Sequence, residues 1–226
     1  AQVYRYGAHF GEEPPISGER GSGTVFFSRC TLRCAYCQNH PWSQEGQGEE
    51  WTEAELVREL VRLRERGCHN WNLVSPTPWW PWILPALAAA RETGRLPVVV
   101  NTSGYERVEL IEALRDEVEI YLADLRYARP ETAAAASDAA DYVAVSRAAL
   151  KAMWEAVGPL ETDAEGIARR GLIGRVLILP GHAGEAVESL EWLAREIGTG
   201  LAVSVMAQYT PAYRARTRAP WNRGIT

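Results

Sequence analysis

The sequence predicts an α/β fold with a parallel sheet, a partial (β/α)6 TIM-type barrel open on one side. Two observations carry this. Short apolar runs alternate with amphipathic helical stretches along the chain, and runs such as Val98-Val99-Val100 are apolar without alternation. Alternating β and α units imply parallel strands joined by right-handed crossovers. Uninterrupted apolar strands imply a sheet covered on both faces. Six such units are too few to close an eight-stranded barrel, so the sheet stays open.

The elements follow in order. Gly23 to Phe27 (GTVFF) is a β-type run after the turn-like Gly21-Ser22-Gly23. Thr52 to Arg66 predicts a helix with Leu56, Val57, Leu60, Val61 and Leu63 on one face. Thr52 and Glu55 form a capping box at its start, and Gly67 stops it. Asn70 to Val74 is the second strand, Pro81 to Thr93 a helix and Leu96 to Val100 the third strand. Arg107 to Asp116 is helical, with Val108, Ile111 and Leu114 inward, and Val118 to Leu122 is the fourth strand. Glu131 to Val157 is alanine-rich and helical, with a break near Tyr142 to Val145. Leu172 to Leu179 is the fifth strand, Gly184 to Ile197 a helix and Leu201 to Met206 the sixth strand.

No repeat or linker divides the chain, so residues 1–226 read as a single domain. Residues 1–22 are expected to be a short lead-in. The tail over 210–226 reads as a truncated end, because the chain stops soon after its last predicted strand. It begins with Ala1 rather than Met, so it carries little information on a leader. Function is expected at the C-terminal ends of the strands, where the loops converge.

Hydrophobic residues make up 46% and charged residues 23%, which excludes disorder as the main state. The net charge of −5 argues against nucleic acid as a partner. Arg214, Arg216, Arg218 and Arg223 concentrate positive charge in the tail and read as a solvated segment. No apolar run approaches the ~18 residues of a membrane helix. Pro78 to Ala90 comes nearest, and Pro78, Pro81 and Pro85 break it. No membrane partner is expected.

Cys30, Cys34 and Cys37 lie together after the first strand, and Cys68 stands alone. A secreted disulfide framework would spread its cysteines, so the group reads as a metal or cluster site in a reducing, cytoplasmic setting. Three thiolates can hold three irons of a four-iron cluster and leave the fourth open. Arg33 adds positive charge beside such a centre. The alternative is a zinc site of Cys30, Cys34, Cys37 and His40 in a non-catalytic binding module.

The pattern Cys-x3-Cys-x-aromatic-Cys after a first strand resembles the signature of radical S-adenosylmethionine (SAM) enzymes. The likeness extends over Gly11-Glu12-Glu13-Pro14-Pro15-Ile16-Ser17-Gly18, Asn101 to Tyr105, Tyr121 to Tyr127, Ala168 to Ile173, Leu177 to Gly181 and Met206 to Tyr209. Together these resemble the pyruvate formate-lyase activating enzyme-like branch. The resemblance implies a [4Fe-4S] cluster on Cys30, Cys34 and Cys37, with SAM as cofactor. It also implies an electron donor such as a flavodoxin or ferredoxin. The substrate it suggests is a glycyl radical enzyme, with a peptide or small molecule as the alternative.

Site residues carry over by position. Tyr36 and Gln38 are expected near the adenine. Ser75-Pro76-Thr77 stands where the activating enzymes hold a Gly-Gly-Glu-like segment for the SAM amino group, but lacks the carboxylate. Asp124 and Arg126 stand in place of Asp-x-Lys, with Arg126 reading as a bidentate partner for the SAM carboxylate. Asn101 replaces an Asp, which puts a bound monovalent cation there in doubt. Leu179 is expected to pack on the adenine, and Gln208 and Tyr209 to contact SAM at the sixth strand end. Trp79 and Trp80 are expected at the substrate rim, with core packing as the alternative. His182 reads as a surface residue, His9, His40 and His69 carry no distinct signal, and Cys68 reads as a buried small residue.

Overall fold

A computed structural model describes residues 1–225. Its first element is a strand, β1 (Gln2–His9), followed by one helical turn, α1 (Pro14–Ser17). The parallel units are β2 (Ser22–Phe27), β4 (Trp71–Val74), β5 (Val98–Thr102), β6 (Ile120–Asp124), β8 (Ala168–Leu177) and β9 (Ala202–Met206), paired in that order. Short pieces lie between them: α2 (His40–Ser43), β3 (Glu49–Glu50) and β7 (Glu161–Thr162). The crossover helices are α3 (Glu53–Glu65), α4 (Trp80–Arg91), α5 (Val108–Ala113), α6 (Pro130–Ser137), α7 (Tyr142–Val157) and α8 (Ala183–Glu196). This is the expected open (β/α)6 sheet.

Local chemistry accounts for the elements. The capping box of α3 is formed: Thr52 N–H donates to Glu55 Oε2 at 2.8 Å, and Glu55 N–H donates back to Thr52 Oγ1 at 3.3 Å. The break in the alanine-rich helix falls at Asp138, in the left-handed region at φ 56°. That is a few residues before the position the sequence predicts.

The lead-in departs from expectation. Residues 2–9 pair antiparallel with β2, Val3 opposite Phe27 and His9 opposite Ser22. QVYRYGAH has no apolar alternation because this strand, lying outside β2, leaves Tyr4 and Tyr6 exposed. Its pairing partner rather than its own pattern makes it a strand.

Strand periodicity sets the interior. On β5 the inward positions run Val99 then Asn101, and on β6 they run Ile120, Leu122, then Asp124. On β8 they run Ile173, Arg175, then Leu177. Successive inward side chains lie two residues apart. Ile16 of α1, fully buried, packs on the aliphatic layer of Val99, Ile120, Leu122 and Ile173. The N-terminal segment therefore closes the bottom of the barrel, and polar groups stand above it. The outward positions, among them Val98, Val100, Tyr121 and Leu172, form the larger core under the helices.

Candidate active site

The loop after β2 carries the three cysteines and is pinned from three sides. Ala35 N–H donates to Ala136 O of α6 at 2.7 Å, and Arg29 N–H donates to Trp42 O of α2 at 2.9 Å. From the tail, Ala215 N–H donates to Ala35 O at 2.9 Å. Cys30, Cys34 and Cys37 all line one cavity of about 630 Å³ over the C-terminal ends of the strands.

The thiols have partners suited to thiolates. Ser137 Oγ–H donates to Cys34 Sγ at 3.0 Å, and an Arg126 N–H points to the same sulfur at 3.5 Å. Cys37 Sγ lies 3.2 Å from Ser43 Oγ. Burial, with Cys34 adding to it, pushes the Cys30 thiol up to about 11, and burial also raises Cys37. A bound metal reverses that preference, because its charge favours the thiolate. The set therefore fits a cluster.

His40 does not join it. Its ring stacks on Tyr213 with centroids 4.5 Å apart, and its Nδ1 lies 3.3 Å from Cys37 O. Among the described residues no group of three or more His, Cys, Asp and Glu side chains converges as a single-ion site. A four-iron cluster does not demand that, since each thiolate binds a different iron.

Across the cavity stands a chain of charges. Asp124 accepts from Arg175 Nε at 2.8 Å and from Arg126 Nη2 at 2.5 Å. Burial alone would raise the Asp124 carboxyl, but Arg175 and then Arg126 more than offset it and hold it below its usual range. Arg175 Nη2 also donates to Asn101 Oδ1 at 2.6 Å, and Asn101 Nδ2 donates to Glu12 Oε1 at 3.0 Å. Burial pushes Glu12 up, against the pull of Arg175. Arg126 Nε is buried and has no partner.

Of the sequence-predicted residues, Tyr36, Gln38, Ser75, Asn101, Asp124, Arg126, Gln208 and Tyr209 line this cavity with the cysteines. Three do not. Pro76 accepts the Trp79 N–H at 2.8 Å within its own turn. Thr77 turns aside to donate to Glu106 Oε1 at 2.7 Å. Leu179 is buried in a side cluster with Tyr36, Tyr127 and Tyr209. Tyr36 lies at the border of that cluster, its hydroxyl 2.6 Å from Tyr127 Oη. Trp79 and Trp80 also leave the rim: Trp80 is buried in the main core, and Trp79 Nε1–H donates to Ser28 O at 2.6 Å. The tryptophan on the cavity is Trp42, stacked on Tyr4 at 4.3 Å.

Residues 24–157 match the family described as the Radical SAM superfamily. The chain belongs to the radical SAM superfamily. It is 28% identical, over 96% of its length, to a protein of Methanocaldococcus jannaschii named Uncharacterized protein MJ0674, of which it spans 61%. Its fold is similar to that of the [FeFe]-hydrogenase maturase HydG from Carboxydothermus hydrogenoformans. There the TM-score is 0.62 at 16% identity, over 84% of this chain and 45% of HydG. It is likewise similar to anSMEcpe with bound AdoMet and Cp18Cys peptide, with a TM-score of 0.59 at 9% identity over 90% of this chain and 55% of that one. The chain thus spans less than two thirds of each of these relatives.

The sequence pattern misses three side chains, two that line this radical SAM cavity and a third, Glu106, in a small hollow beside it with Ser75 and Thr102. Glu12 and Arg175 reach the cavity from the N-terminal segment and from mid-β8. Glu106 brings a buried carboxylate to the end of β4, where Ser75-Pro76-Thr77 has none. It accepts from Thr77 and from Thr102, the latter at 2.5 Å, and its Oε2 is buried without a partner. Burial raises it, against the pull of those two hydroxyls. A glutamate two positions after Gly104 is a weak sequence signal. Gly104 itself, at φ 76°, is required: a Cβ there would lie 2.2 Å from Asp124 O.

Proposed function

We propose that Cys30, Cys34 and Cys37 hold a [4Fe-4S] cluster and that SAM binds in the cavity they share with Arg126. The observation that carries this is the position of Arg126. It is held by Asp124, points one N–H at Cys34 and keeps a buried, unpartnered Nε. A guanidinium so fixed suits a carboxylate beside the cluster. The reduced cluster, when bound with SAM, supplies the electron that breaks the S–C5′ bond and yields methionine and the 5′-deoxyadenosyl radical.

The chain's own residues then have definite tasks. Arg126 receives the SAM carboxylate, and Asp124 orients Arg126. Ser75, at φ 53°, leaves its hydroxyl and carbonyl at the end of β4 for the ammonium group. Tyr36 and Tyr209 wall the cavity and limit water at the radical. Arg175 bridges Asp124 and Asn101, as a bound cation would, so the reaction needs no monovalent ion there.

The substrate reading taken from the resemblance is glycyl-radical installation on a partner enzyme. A second reading, a small polar substrate, is favoured by the closed floor, where Ile16 seals the barrel below Glu12 and Arg175. A cytoplasmic setting would keep the cluster reduced.

The test is anaerobic reconstitution followed by dithionite reduction with SAM. Methionine and 5′-deoxyadenosine should form together. Stoichiometric zinc, with no iron in protein made and handled without oxygen, would overturn the reading. Electron paramagnetic resonance of a candidate glycyl radical enzyme, run beside product analysis with small polar compounds, separates the two substrate readings.

A further inference from the structure

A second cavity, of about 600 Å³, lies on the outer side of the cysteine loop. Four arginines line it, Arg29, Arg33, Arg214 and Arg218, with Asp138 as the acidic residue on its wall. None of the four makes an ion pair with a described carboxylate. Arg214 instead lies over the Tyr213 ring at 4.9 Å and Arg218 over Trp221 at 5.0 Å. Such stacking fixes a guanidinium without neutralising it.

The tail arginines are exposed to solvent, as the sequence suggests, but the backbone that carries Arg214 and Arg218 is docked rather than free. Residues Tyr213–Thr217 form a 3-10 turn docked on the cysteine loop through Ala215 N–H to Ala35 O. The rest of the wall is largely small, from Ala35 and the alanines of α6. Cys30 lines both cavities. One side of the cysteine loop thus faces the SAM cavity, and the other faces a basic, open cleft. The whole chain carries −5, so this patch runs against the background charge.

We propose that the cleft of Arg29, Arg33, Arg214 and Arg218 is the docking surface for an acidic protein that donates one electron. The inference rests on the radical SAM reading. Each SAM cleavage consumes one electron. The docked donor, carrying a reduced flavin or iron–sulfur centre, is oxidised by one electron, and that electron enters on the Cys30 side. No bond is made or broken between the two proteins. A free substrate has no role here, because the cleft lies outside the cavity where the radical forms. Positive charge speeds encounter with an acidic partner, and salt weakens it.

The experiment uses the full chain with its cluster reconstituted, an acidic flavodoxin as probe, and the double variant Arg214→Glu/Arg218→Glu. Both side chains are exposed, so melting should match the parent. Direct binding of flavodoxin should weaken by about tenfold or more and lose most of its salt dependence. Flavodoxin-driven SAM cleavage should fall in step, while dithionite-driven cleavage stays near the parent rate. Unchanged flavodoxin binding by the variant would overturn the proposal, as would no salt-sensitive binding by the parent. Equal loss with dithionite would assign the arginines to supporting the cluster instead. Tight binding of tripolyphosphate that leaves flavodoxin binding undisturbed would make the cleft a small-anion site. Failure of dithionite-driven cleavage in the parent would strike the radical SAM reading itself, apart from the docking surface.

Discussion

Asp124 and Arg175 stand directly opposite each other across β6 and β8, and the guanidinium Nε donates to the carboxylate at 2.8 Å. The same guanidinium reaches Asn101 at 2.6 Å and Glu12 at 3.4 Å, so one side chain joins three strands to the N-terminal segment. Truncating it leaves the buried Glu12 carboxylate without its cation and Asp124 with Arg126 alone. Arg175→Ala should lose ~3–5 kcal/mol of stability, measured by denaturant unfolding. Adding Glu12→Gln should recover part of that loss, since coupled neighbours are not additive. Strict additivity would refute the coupling.

Arg126→Ala should leave iron content at the parent level and weaken SAM binding. Loss of one charge-assisted contact is worth ~1.5–3 kcal/mol, roughly tenfold to a hundredfold in affinity. Calorimetric titration of reconstituted protein measures it. Parent-like affinity would give Arg126 a purely structural role.

Cys34→Ala should abolish the cluster, whereas Cys68→Ala should keep about four irons. Cys68 is buried in the main core beside Leu63 and Trp71, far in role from the other three. Iron and sulfide analysis after anaerobic reconstitution decides between them. Iron loss in both variants would point to unfolding, which melting curves detect.

Trp80→Ala should cost ~3–5 kcal/mol of stability, as for other large core truncations. Trp79→Ala should cost less, because its ring is half-buried; it also loses a hydrogen bond worth ~1 kcal/mol. A parent-like melting temperature with lost turnover would return these rings to the substrate rim.

Glu106→Gln tests the buried carboxylate at the end of β4. Its folded pKa is raised, so the folded state binds the proton more tightly than the unfolded state does. That contribution is fully present below the ordinary carboxylate pKa and is lost as pH rises through the raised folded value. Gln carries no such loss. The stability of the variant relative to the parent should therefore climb with pH across that window. A difference independent of pH would show that Glu106 ionises freely.

The parallel strands, their helices and the cysteine loop could be read from the sequence because each is written in contiguous residues. A helix face repeats every three to four positions and a cap spans four. Cys30, Cys34 and Cys37 lie within one loop, and Asp124 and Arg126 within one strand end. The lead-in had no such signature, since β1 is a strand only by pairing with β2. Trp79 and Trp80 had an ambiguous one, because an aromatic loop has the same composition at a rim or under a helix. Sheet register brought Arg175 to Asp124, and chain reversal brought Glu12 to Arg175, 163 residues away. Packing of the tail set Arg214 and Arg218 on the outer face of the cysteine loop. A charge in the sequence has no direction until a neighbouring strand or loop gives it a partner. Tertiary structure therefore decided which carboxylates are buried and which arginines remain free.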